Sequence, residues 1–324
     1  MERSQFAAKL NEWGKQGQPF LFITDFELEN PLVFPLHDVD PSQILFDIEG
    51  FRNFQTFRDP DSTATLLAKS PIPFDVYEKK FRHVYHHLSR GDSYLLNLTV
   101  KTGVRLNGSL LEIFHRSAAP YKLWFRDQFL VFSPECFIKI RGGRIFAYPM
   151  KGTIDASLPD ATERILNDKK EHAEHVTIVD LIRNDLSVVA DKVEVTRFRY
   201  LDLVKTSGAN LLQVSSEISG TLRENYRDQM GSLLVSLLPA GSVSGAPKAR
   251  TVEILREAES EKRGYYTGVF GYFDGQDLNS GVMIRFIERE DENYIYRSGG
   301  GITTQSLARS EYEEILNKVY VPVD

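Results

Sequence analysis

One lysine in a short polar turn is the first candidate for chemistry in this chain. Lys151 follows the strand-like segment 144–148 and precedes Gly152, so it should project from a strand end where a ligand can approach closely. A lysine amine becomes nucleophilic when partial desolvation lowers its pKa. The residues alone leave open an ordinary surface lysine in a loop.

Two pairs of glutamates have the spacing of a shared helix face. Glu171 and Glu174 form one pair, and Glu311 and Glu314 form the other. One carboxylate from each helix, together with an anionic substrate, would supply the oxygen ligands that Mg²⁺ prefers. Each pair could instead be a solvated acidic face. Lys318, one turn after Glu314, either adds a cation to the site or simply pairs with Glu314.

Two further charged residues stand in unusual surroundings. Glu135 lies just before the strand that leads to Lys151, so it is a candidate general acid or base if antiparallel strands bring the two together. Arg285 lies within an apolar segment, 281–289, that is predicted to be a strand. A buried arginine needs an anionic partner, which would be either a protein carboxylate or a substrate carboxylate.

Three glycine-containing segments could present backbone amides to a carboxylate. They are 241–248, 263–268 and 298–302. The first opens a helix predicted over 246–257, and a helix start offers free N–H groups and a favourable dipole to an anion. None of the three matches a phosphate-binding loop or a dinucleotide fingerprint. Each could equally be no more than a tight turn.

The elements that must position these residues occur in blocks. Helices are predicted over 75–89, 168–183, 228–238, 246–257 and 307–320, and strands over 93–100, 123–132, 137–148, 268–273 and 294–297. The first 53 or so residues contain several prolines, which favours short strands and turns there over long helices. Strands and helices that do not alternate regularly indicate an α+β architecture with antiparallel sheets.

Composition restricts the class of protein further. The chain has 324 residues and 42% hydrophobic content, enough for a large core. A net charge of -6 argues against a nucleic-acid binder, which usually needs a basic surface. The single cysteine, Cys136, excludes an intrachain disulfide. No apolar run has the length of a membrane span and no secretory signal is visible, so a cytoplasmic location is expected.

The motifs in their order along the chain resemble the chorismate-utilising enzymes. They are 133–135, 149–153, 180–186, 241–248, 263–272 and 299–302, and the resemblance covers about residues 75–320. It implies an α/β sandwich of antiparallel sheets flanked by helices, with a short N-terminal region (1–74) packed on a chorismate-binding catalytic domain (75–324). It also implies Mg²⁺ bound by Glu174 and Glu314, with Glu171 and Glu311 in the same shell.

The motif Pro149-Met150-Lys151-Gly152-Thr153, with lysine at its centre, resembles that of one branch of the family, aminodeoxychorismate synthase component I. In that branch the amine of Lys151 would attack C2 of chorismate as the C4 hydroxyl leaves. Ammonia would then enter at C4, and Glu135 would protonate the departing hydroxyl. The resemblance assigns substrate binding to Thr153, Gln213, Ser244, Tyr266, Arg285, Gly299, Gly300, Gly301 and Lys318. Gln213 stands where the family usually has histidine.

The resemblance also implies partners and leaves alternatives open. Cys136 lacks the glycine-rich surroundings of a glutaminase nucleophile, so ammonia would come from solution or from a separate glutamine amidotransferase subunit. A separate aminodeoxychorismate lyase would complete 4-aminobenzoate for folate synthesis. Leu95 stands where isochorismate-forming relatives place a water-activating lysine, which disfavours water as the nucleophile. The alternatives are anthranilate synthase component I and a non-catalytic scaffold that binds a glutaminase.

Overall fold

The computed structural model of the chain describes residues 1–55, 62–204 and 210–323. Its helices are α1 Arg3–Gln16, α2 Phe74–Ser89, α3 Leu110–Arg116, α4 Ala161–Asn167, α5 Lys169–Ser187, α6 Met230–Leu237, α7 Lys248–Glu259 and α8 Ala308–Asn317. Its strands are β1 Phe20–Thr24, β2 Leu32–Pro35, β3 Ile44–Ile48, β4 Phe51–Arg52, β5 Thr65–Pro71, β6 Leu95–Asn107, β7 Tyr121–Phe125, β8 Phe129–Ser133, β9 Cys136–Arg141, β10 Arg144–Ala147, β11 Met150–Asp155, β12 Ala190–Val204, β13 Leu211–Leu222, β14 Gly245–Ala246, β15 Val269–Phe273, β16 Leu278–Val282, β17 Phe286–Glu290 and β18 Asn293–Ile302.

These strands form two antiparallel sheets. Sheet A has the order β11-β13-β10-β9-β16-β15-β1-β2, and β12 pairs with β13. Sheet B has the order β14-β6-β18-β17-β8-β7-β3-β4, and β5 pairs with β6. Strands from the first 74 residues pair in both sheets, namely β1 and β2 in sheet A and β3, β4 and β5 in sheet B. The division of the chain at residue 74 stays a prediction.

The two sheets pack face to face and are covered by helices on their outer sides. Strand β1 illustrates this arrangement, because its residues are buried on both faces of sheet A. Phe20 and Phe22 belong to the core beneath α1 and α6, whereas Leu21 and Ile23 belong to the core between the sheets. Helices α2, α7 and α8 cover the outer face of sheet B with a third apolar cluster. The predicted α+β sandwich of antiparallel sheets flanked by helices is confirmed.

All five predicted helices are present, with shifts of a few residues at their ends. The helix over 168–183 is α5, which begins after Asp168, whose carboxylate accepts a hydrogen bond from the Glu171 backbone at 2.9 Å. The helix predicted from residue 246 begins at Lys248 instead, because Gly245 and Ala246 pair with β6 as β14. None of the described helices is both long and apolar enough to cross a membrane.

The expectation of short strands and turns near the N-terminus is wrong for residues 3–16. These residues form α1, and Phe6, Leu10 and Trp13 recur on its buried side at helical spacing. The helix ends at Gly17, which adopts a left-handed backbone conformation with φ of 64°. A helix therefore precedes the first strand and packs beside α6 on sheet A.

Three predicted strands are each two strands. The segment 123–132 is the hairpin of β7 and β8, and 137–148 is the hairpin of β9 and β10. The segment 281–289 divides differently, because β16 belongs to sheet A and β17 to sheet B. The chain thus crosses from one sheet to the other at residues 283–285. A second crossing joins β8 of sheet B to β9 of sheet A at residues 134 and 135.

Candidate active site

Each of these two crossings carries a predicted site residue. Glu135 lies in the crossing at residues 134 and 135, and its carbonyl oxygen accepts a hydrogen bond from Val282 N at 3.0 Å. Arg285 lies in the crossing at residues 283–285, with a positive φ of 54°, and its carbonyl oxygen accepts a hydrogen bond from Phe132 N at 3.2 Å. The first bond joins the Glu135 crossing to the end of β16, which leads to Arg285. The second joins the Arg285 crossing to β8, which leads to Glu135. The two side chains are therefore held at the junction of the sheets.

A cavity of about 200 Å³ opens at this junction. Eight of the predicted site residues line it: Glu135, Lys151, Glu174, Tyr266, Arg285, Gly299, Gly301 and Lys318. They come from both sheets, from α5 and from the residue that follows α8. The structure therefore brings together in one cavity residues that are far apart in the sequence.

Lys151 lies in β11 at an irregularity in its pairing with β13. The register shifts between Met150 and Thr153, and Gly152 has a φ of 83°. The amine Nζ of Lys151 is 2.7 Å from Glu174 Oε2. Burial alone would lower the pKa of Lys151, but the charges of Glu174, Glu314 and Glu171 outweigh it and hold the pKa above its ordinary value. The lowered pKa expected of a nucleophile is therefore wrong for Lys151 among these carboxylates.

Glu135 has the electrostatics of a general acid. Burial raises the pKa of its carboxyl group above the ordinary value, while a hydrogen bond from Ser242 and the charge of Lys318 act in the opposite direction. A carboxyl group with a raised pKa can keep its proton nearer neutral pH and give it to a leaving group. Ser242 donates to Glu135 Oε1 from the segment 241–243 that precedes β14.

The four glutamates lie on α5 and α8, and the charges of Glu174, Glu314 and Glu171 act on the Lys151 amine. Burial raises the pKa of Glu171 and of Glu311, and the neighbouring charge of Glu174 raises both further. Burial also acts to raise the pKa of Glu314, but Lys318 at 2.8 Å and other lysines hold it below its ordinary value. The pairing of Lys318 with Glu314, one of the alternatives left open by the sequence, is therefore present.

This set of donors fits Mg²⁺ in its chemistry. All four are carboxylates, the hard oxygen ligands that Mg²⁺ takes. Burial is the main cause of the raised pKa values of Glu171 and Glu311, and neighbouring carboxylates add to it. No three of these carboxylates have oxygens within 4.8 Å of one another. The arrangement suits one carboxylate from each helix with water or substrate oxygens completing the shell.

Arg285 presents a guanidinium without a carboxylate partner. Its Nη1 donates to the carbonyl oxygen of Lys318 at 2.6 Å, and the group lies 4.6 Å from the ring centre of Tyr320. No ion pair joins it to a carboxylate in residues 1–55, 62–204 and 210–323. Of the two partners that the sequence allowed, a substrate carboxylate is the one left open. Lys318 also donates from Nζ to the Gly299 carbonyl at 3.0 Å.

Other predicted residues do not line the cavity. Thr153 is exposed and pairs in register with Gln213. Ser244 is fully buried, and its hydroxyl donates to the Ala240 carbonyl at 2.8 Å. Gly300 faces α8, since a Cβ there would lie 3.6 Å from Ile315. Their assignment to substrate binding stays a prediction.

The glycines at 299–301 do not form the tight turn that the sequence left open. They continue β18 and pair with residues 97–99 of β6. The backbones approach closely here, because a Cβ on Gly299 would lie 2.9 Å from the Leu98 carbonyl oxygen. The absence of side chains at these positions leaves room for a ligand against the strand.

Several residues at the site received no individual role in the sequence analysis. The cavity is also lined by Ser242, Asn97, Arg297 and Ser298. The hydroxyl of Ser298 is buried with no hydrogen-bond partner in the described part of the chain. Ser298 is the first residue of the glycine segment 298–302, which is its signal in the sequence. His175, next to Glu174 on α5, is fully buried and lies 2.7 Å from the Ser216 hydroxyl. Burial and the charge of a nearby arginine lower its pKa to about 4.

Comparison with known proteins agrees with this geometry. Residues 38–324 match the family model described as chorismate binding enzyme. A protein of Haemophilus influenzae named as an uncharacterized PabA-like protein is 52% identical over 98% of this chain and 97% of its own length. Aminodeoxychorismate synthase component 1 of Escherichia coli is 32% identical over 80% of this chain, which spans 59% of that relative.

Among solved structures, anthranilate synthase component I from Streptococcus pneumoniae superimposes with a TM-score of 0.67 at 26% sequence identity. The match covers 81% of this chain and 60% of that structure. The resemblance inferred from the motifs is confirmed: the chain belongs to the family of chorismate-binding enzymes.

Proposed function

We propose that this chain is an aminodeoxychorismate synthase component I, which converts chorismate and ammonia to 4-amino-4-deoxychorismate and water. One observation carries the proposal: the Lys151 amine and the Glu135 carboxyl group line the same cavity. A nucleophile and an acid are the two groups that this reaction requires of the protein. Relatives named aminodeoxychorismate synthase component 1 support the choice of reaction.

Chorismate carries two carboxylates, and the cavity offers cations for both. Arg285 is free of carboxylate partners in the described part of the chain and would bind the enolpyruvyl carboxylate with Tyr266 beside it. Lys318 lies close enough to Glu135 for its charge to lower the pKa of that carboxyl group. It would face the ring carboxylate together with the metal ligands.

Glu174 and Glu314 would hold Mg²⁺, with Glu171 and Glu311 beside them. When bound, the ion would offset the carboxylate charge that holds Lys151 protonated and would bind the ring carboxylate of chorismate. Glu174 is the group in closest contact with the Lys151 amine, at 2.7 Å. The same carboxylates thus define both the cation site and the protonation of the nucleophile.

The protein groups would act in two half-reactions. Neutral Lys151 forms a bond from Nζ to C2 of chorismate, the ring double bond shifts, and the C4–O bond breaks as Glu135 gives its proton to the hydroxyl, which leaves as water. Ammonia then forms a bond to C4, the double bond shifts back, and the C2–N bond to Lys151 breaks. Glu135, now a carboxylate, can take the proton that ammonia loses. Amination at C4 follows because the lysine occupies C2 first.

The proposal extends to the setting of the enzyme. Ammonia would be supplied by a separate glutamine amidotransferase subunit or by free ammonium, and a separate lyase would release pyruvate to give 4-aminobenzoate. The name PabA-like, borne by the Haemophilus relative, supports a link to this pathway. We place the enzyme in the cytoplasm, with no nucleic acid or membrane among its partners.

The decisive experiment is a coupled assay that separates the possible products. Purified protein is incubated with chorismate, Mg²⁺ and ammonium, with and without aminodeoxychorismate lyase, and products are separated by chromatography. We expect 4-aminobenzoate only when the lyase is present. Anthranilate in either reaction would assign the chain to the anthranilate synthase branch, the alternative that the solved neighbour represents. No product and no binding of chorismate by calorimetry would indicate a scaffold.

The variant Lys151→Ala tests the covalent role. We expect a fall in kcat of roughly a hundredfold or more, the effect of losing a nucleophile. Lys170→Ala is the matched control, because Lys170 also lies near Glu174, at 3.7 Å, but outside the cavity. An equal effect of the two substitutions would mean that Lys151 acts only through its charge.

A further inference from the structure

A group of histidines lies on the outer surface of sheet B, away from the candidate active site. His83 and His87 are one helical turn apart on α2, and Glu257 approaches them from α7. One ligand atom of each of these three residues lies within 4.8 Å of the other two. None of the three lines the cavity that contains Lys151. We refer to them as the α2–α7 cluster.

The ring nitrogen Nε2 of His83 faces the Glu257 carboxylate. Its Nε2 atom is buried and makes no hydrogen bond within the described residues, although Glu257 Oε2 lies 3.4 Å away. A nitrogen and a carboxylate oxygen at this separation match two neighbouring ligands of one tetrahedral ion, given Zn–N and Zn–O distances of about 2.0–2.2 Å. An ion between these two atoms would satisfy the buried nitrogen.

The second histidine has a supporting carboxylate. His87 Nδ1 lies 2.7 Å from Asp92 Oδ2, just after α2. Metal-binding histidines commonly donate one ring nitrogen to a carboxylate, which orients the ring and leaves the other nitrogen for the ion. Asp92 would be a positioning residue of this kind for Nε2 of His87.

The helices that carry the cluster are held in place by packing. Val84 and Leu88 of α2 and Ile254 and Leu255 of α7 are buried in the same apolar cluster on sheet B. The side chain of His87 is only 15% exposed, so its ring has little freedom to turn away. A fixed pair of helices reduces the conformational freedom that ion binding would otherwise remove.

We propose that His83, His87 and Glu257 bind one Zn²⁺ or a similar late first-row divalent ion, with water completing the coordination. Two imidazoles and one carboxylate suit Zn²⁺, Ni²⁺ or Cu²⁺, whereas Mg²⁺ prefers oxygen ligands throughout. The cluster is therefore separate in place and in metal preference from the four glutamates around Lys151. An ion there would join α2 to α7 and stabilise the folded chain.

The test is calorimetric titration of Zn²⁺ into protein that has been treated with a chelator and then freed of it. We expect one ion per chain at micromolar affinity or tighter, no competition by millimolar Mg²⁺, and an upward shift of Tm. The variant His83→Gln/His87→Gln should lose this binding. Asp92→Asn should weaken it by about tenfold or more, as losses of supporting carboxylates do.

His86→Gln is the matched control, because His86 lies between the two proposed ligands in the sequence but outside the cluster. It should leave Zn²⁺ affinity unchanged. Far-UV circular dichroism of each variant without metal shows that it has folded, and Co²⁺ absorption bands of the wild type report nitrogen ligands directly. Unchanged Zn²⁺ binding in the double variant, equal loss with His86→Gln, or no binding by the wild type would overturn the proposal. The three residues would then form only surface ion pairs.

Discussion

Replacing one buried arginine should test how the cavity is held together. Arg263 is 1% exposed and pairs with Glu259, which is 5% exposed, through two bonds of 2.8 and 2.7 Å. It also donates to the carbonyls of Val243 at 2.8 Å and Asn97 at 2.6 Å. Val243 and Asn97 both line the cavity, so this one guanidinium connects two of its walls.

The variant Arg263→Met should lose about 5 kcal/mol or more of the free energy of unfolding. Removing one partner of a buried pair costs about 3–5 kcal/mol, because the other charge stays buried without compensation. Within the described residues, the Glu259 carboxylate would keep its hydrogen bonds from the backbone and hydroxyl of Thr99, both 2.9 Å. The carbonyls of Val243 and Asn97 each lose a hydrogen-bond donor, and each loss should lower the free energy of unfolding by about 1 kcal/mol or more.

Urea unfolding gives the measurement, because urea carries no charge and does not screen ion pairs. Tryptophan fluorescence and far-UV circular dichroism should give coincident transitions before a free energy is derived. Lys262→Met is the matched control: Lys262 pairs with Glu29 at 2.6 Å, but both side chains are at least half exposed, so no measurable loss is expected. Similar stabilities for the two variants would refute the reasoning.

Three further predictions concern a proton donor, a buried histidine and a glycine. Ser242→Ala removes a hydrogen bond that favours ionised Glu135, so the pKa of Glu135 should rise and the alkaline limb of the kcat profile should move to higher pH; a shift to lower pH would contradict the acid role. Burial lowers the pKa of His175 from 6.5 to about 4, so the unfolded chain takes up this proton at higher pH than the folded chain does. The free energy of unfolding should therefore fall by up to about 3 kcal/mol as pH falls from 6.5 to 4, and His175→Gln should flatten that part of its pH dependence. Gly245→Ala should lower Tm far more than Gly264→Ala. Both glycines have positive φ, but only a Cβ on Gly245 would lie 2.0 Å from a carbonyl oxygen. Equal Tm values would show that the backbone around Gly245 relaxes at little cost.

Local sequence patterns were sufficient to predict the elements that lie wholly within one layer of the fold. Helix α5 could be predicted with its two glutamates on one face, because its apolar positions repeat at helical spacing. The lysine motif and the glycine segments could be identified as parts of one site only through the family resemblance. Nothing in their own sequence brings β11, β18 and α8 together.

The missed features depend on long-range pairing. Residues 282–286 are apolar almost throughout, so their pattern does not reveal that Val282 ends a strand of sheet A while Phe286 begins one of sheet B. The expected lowering of the Lys151 pKa also failed for a tertiary reason, since the carboxylates that raise it come from distant helices. Helix α1 is different: the spacing of Phe6, Leu10 and Trp13 was visible, but the prolines that follow drew the prediction toward strands.

The crossings that carry Glu135 and Arg285 make the proposed activity depend on the docking of the two sheets. Glu135 and Arg285 occupy connections that reach their places only when the core between the sheets has closed around residues such as Tyr121, Phe270 and Phe286. A folding intermediate with either sheet complete but undocked would show native-like strand content and yet have no reaction centre. During refolding, the proposed activity would therefore return when the sheets dock, after the strands have formed. The time course of its recovery would then report the last step of assembly.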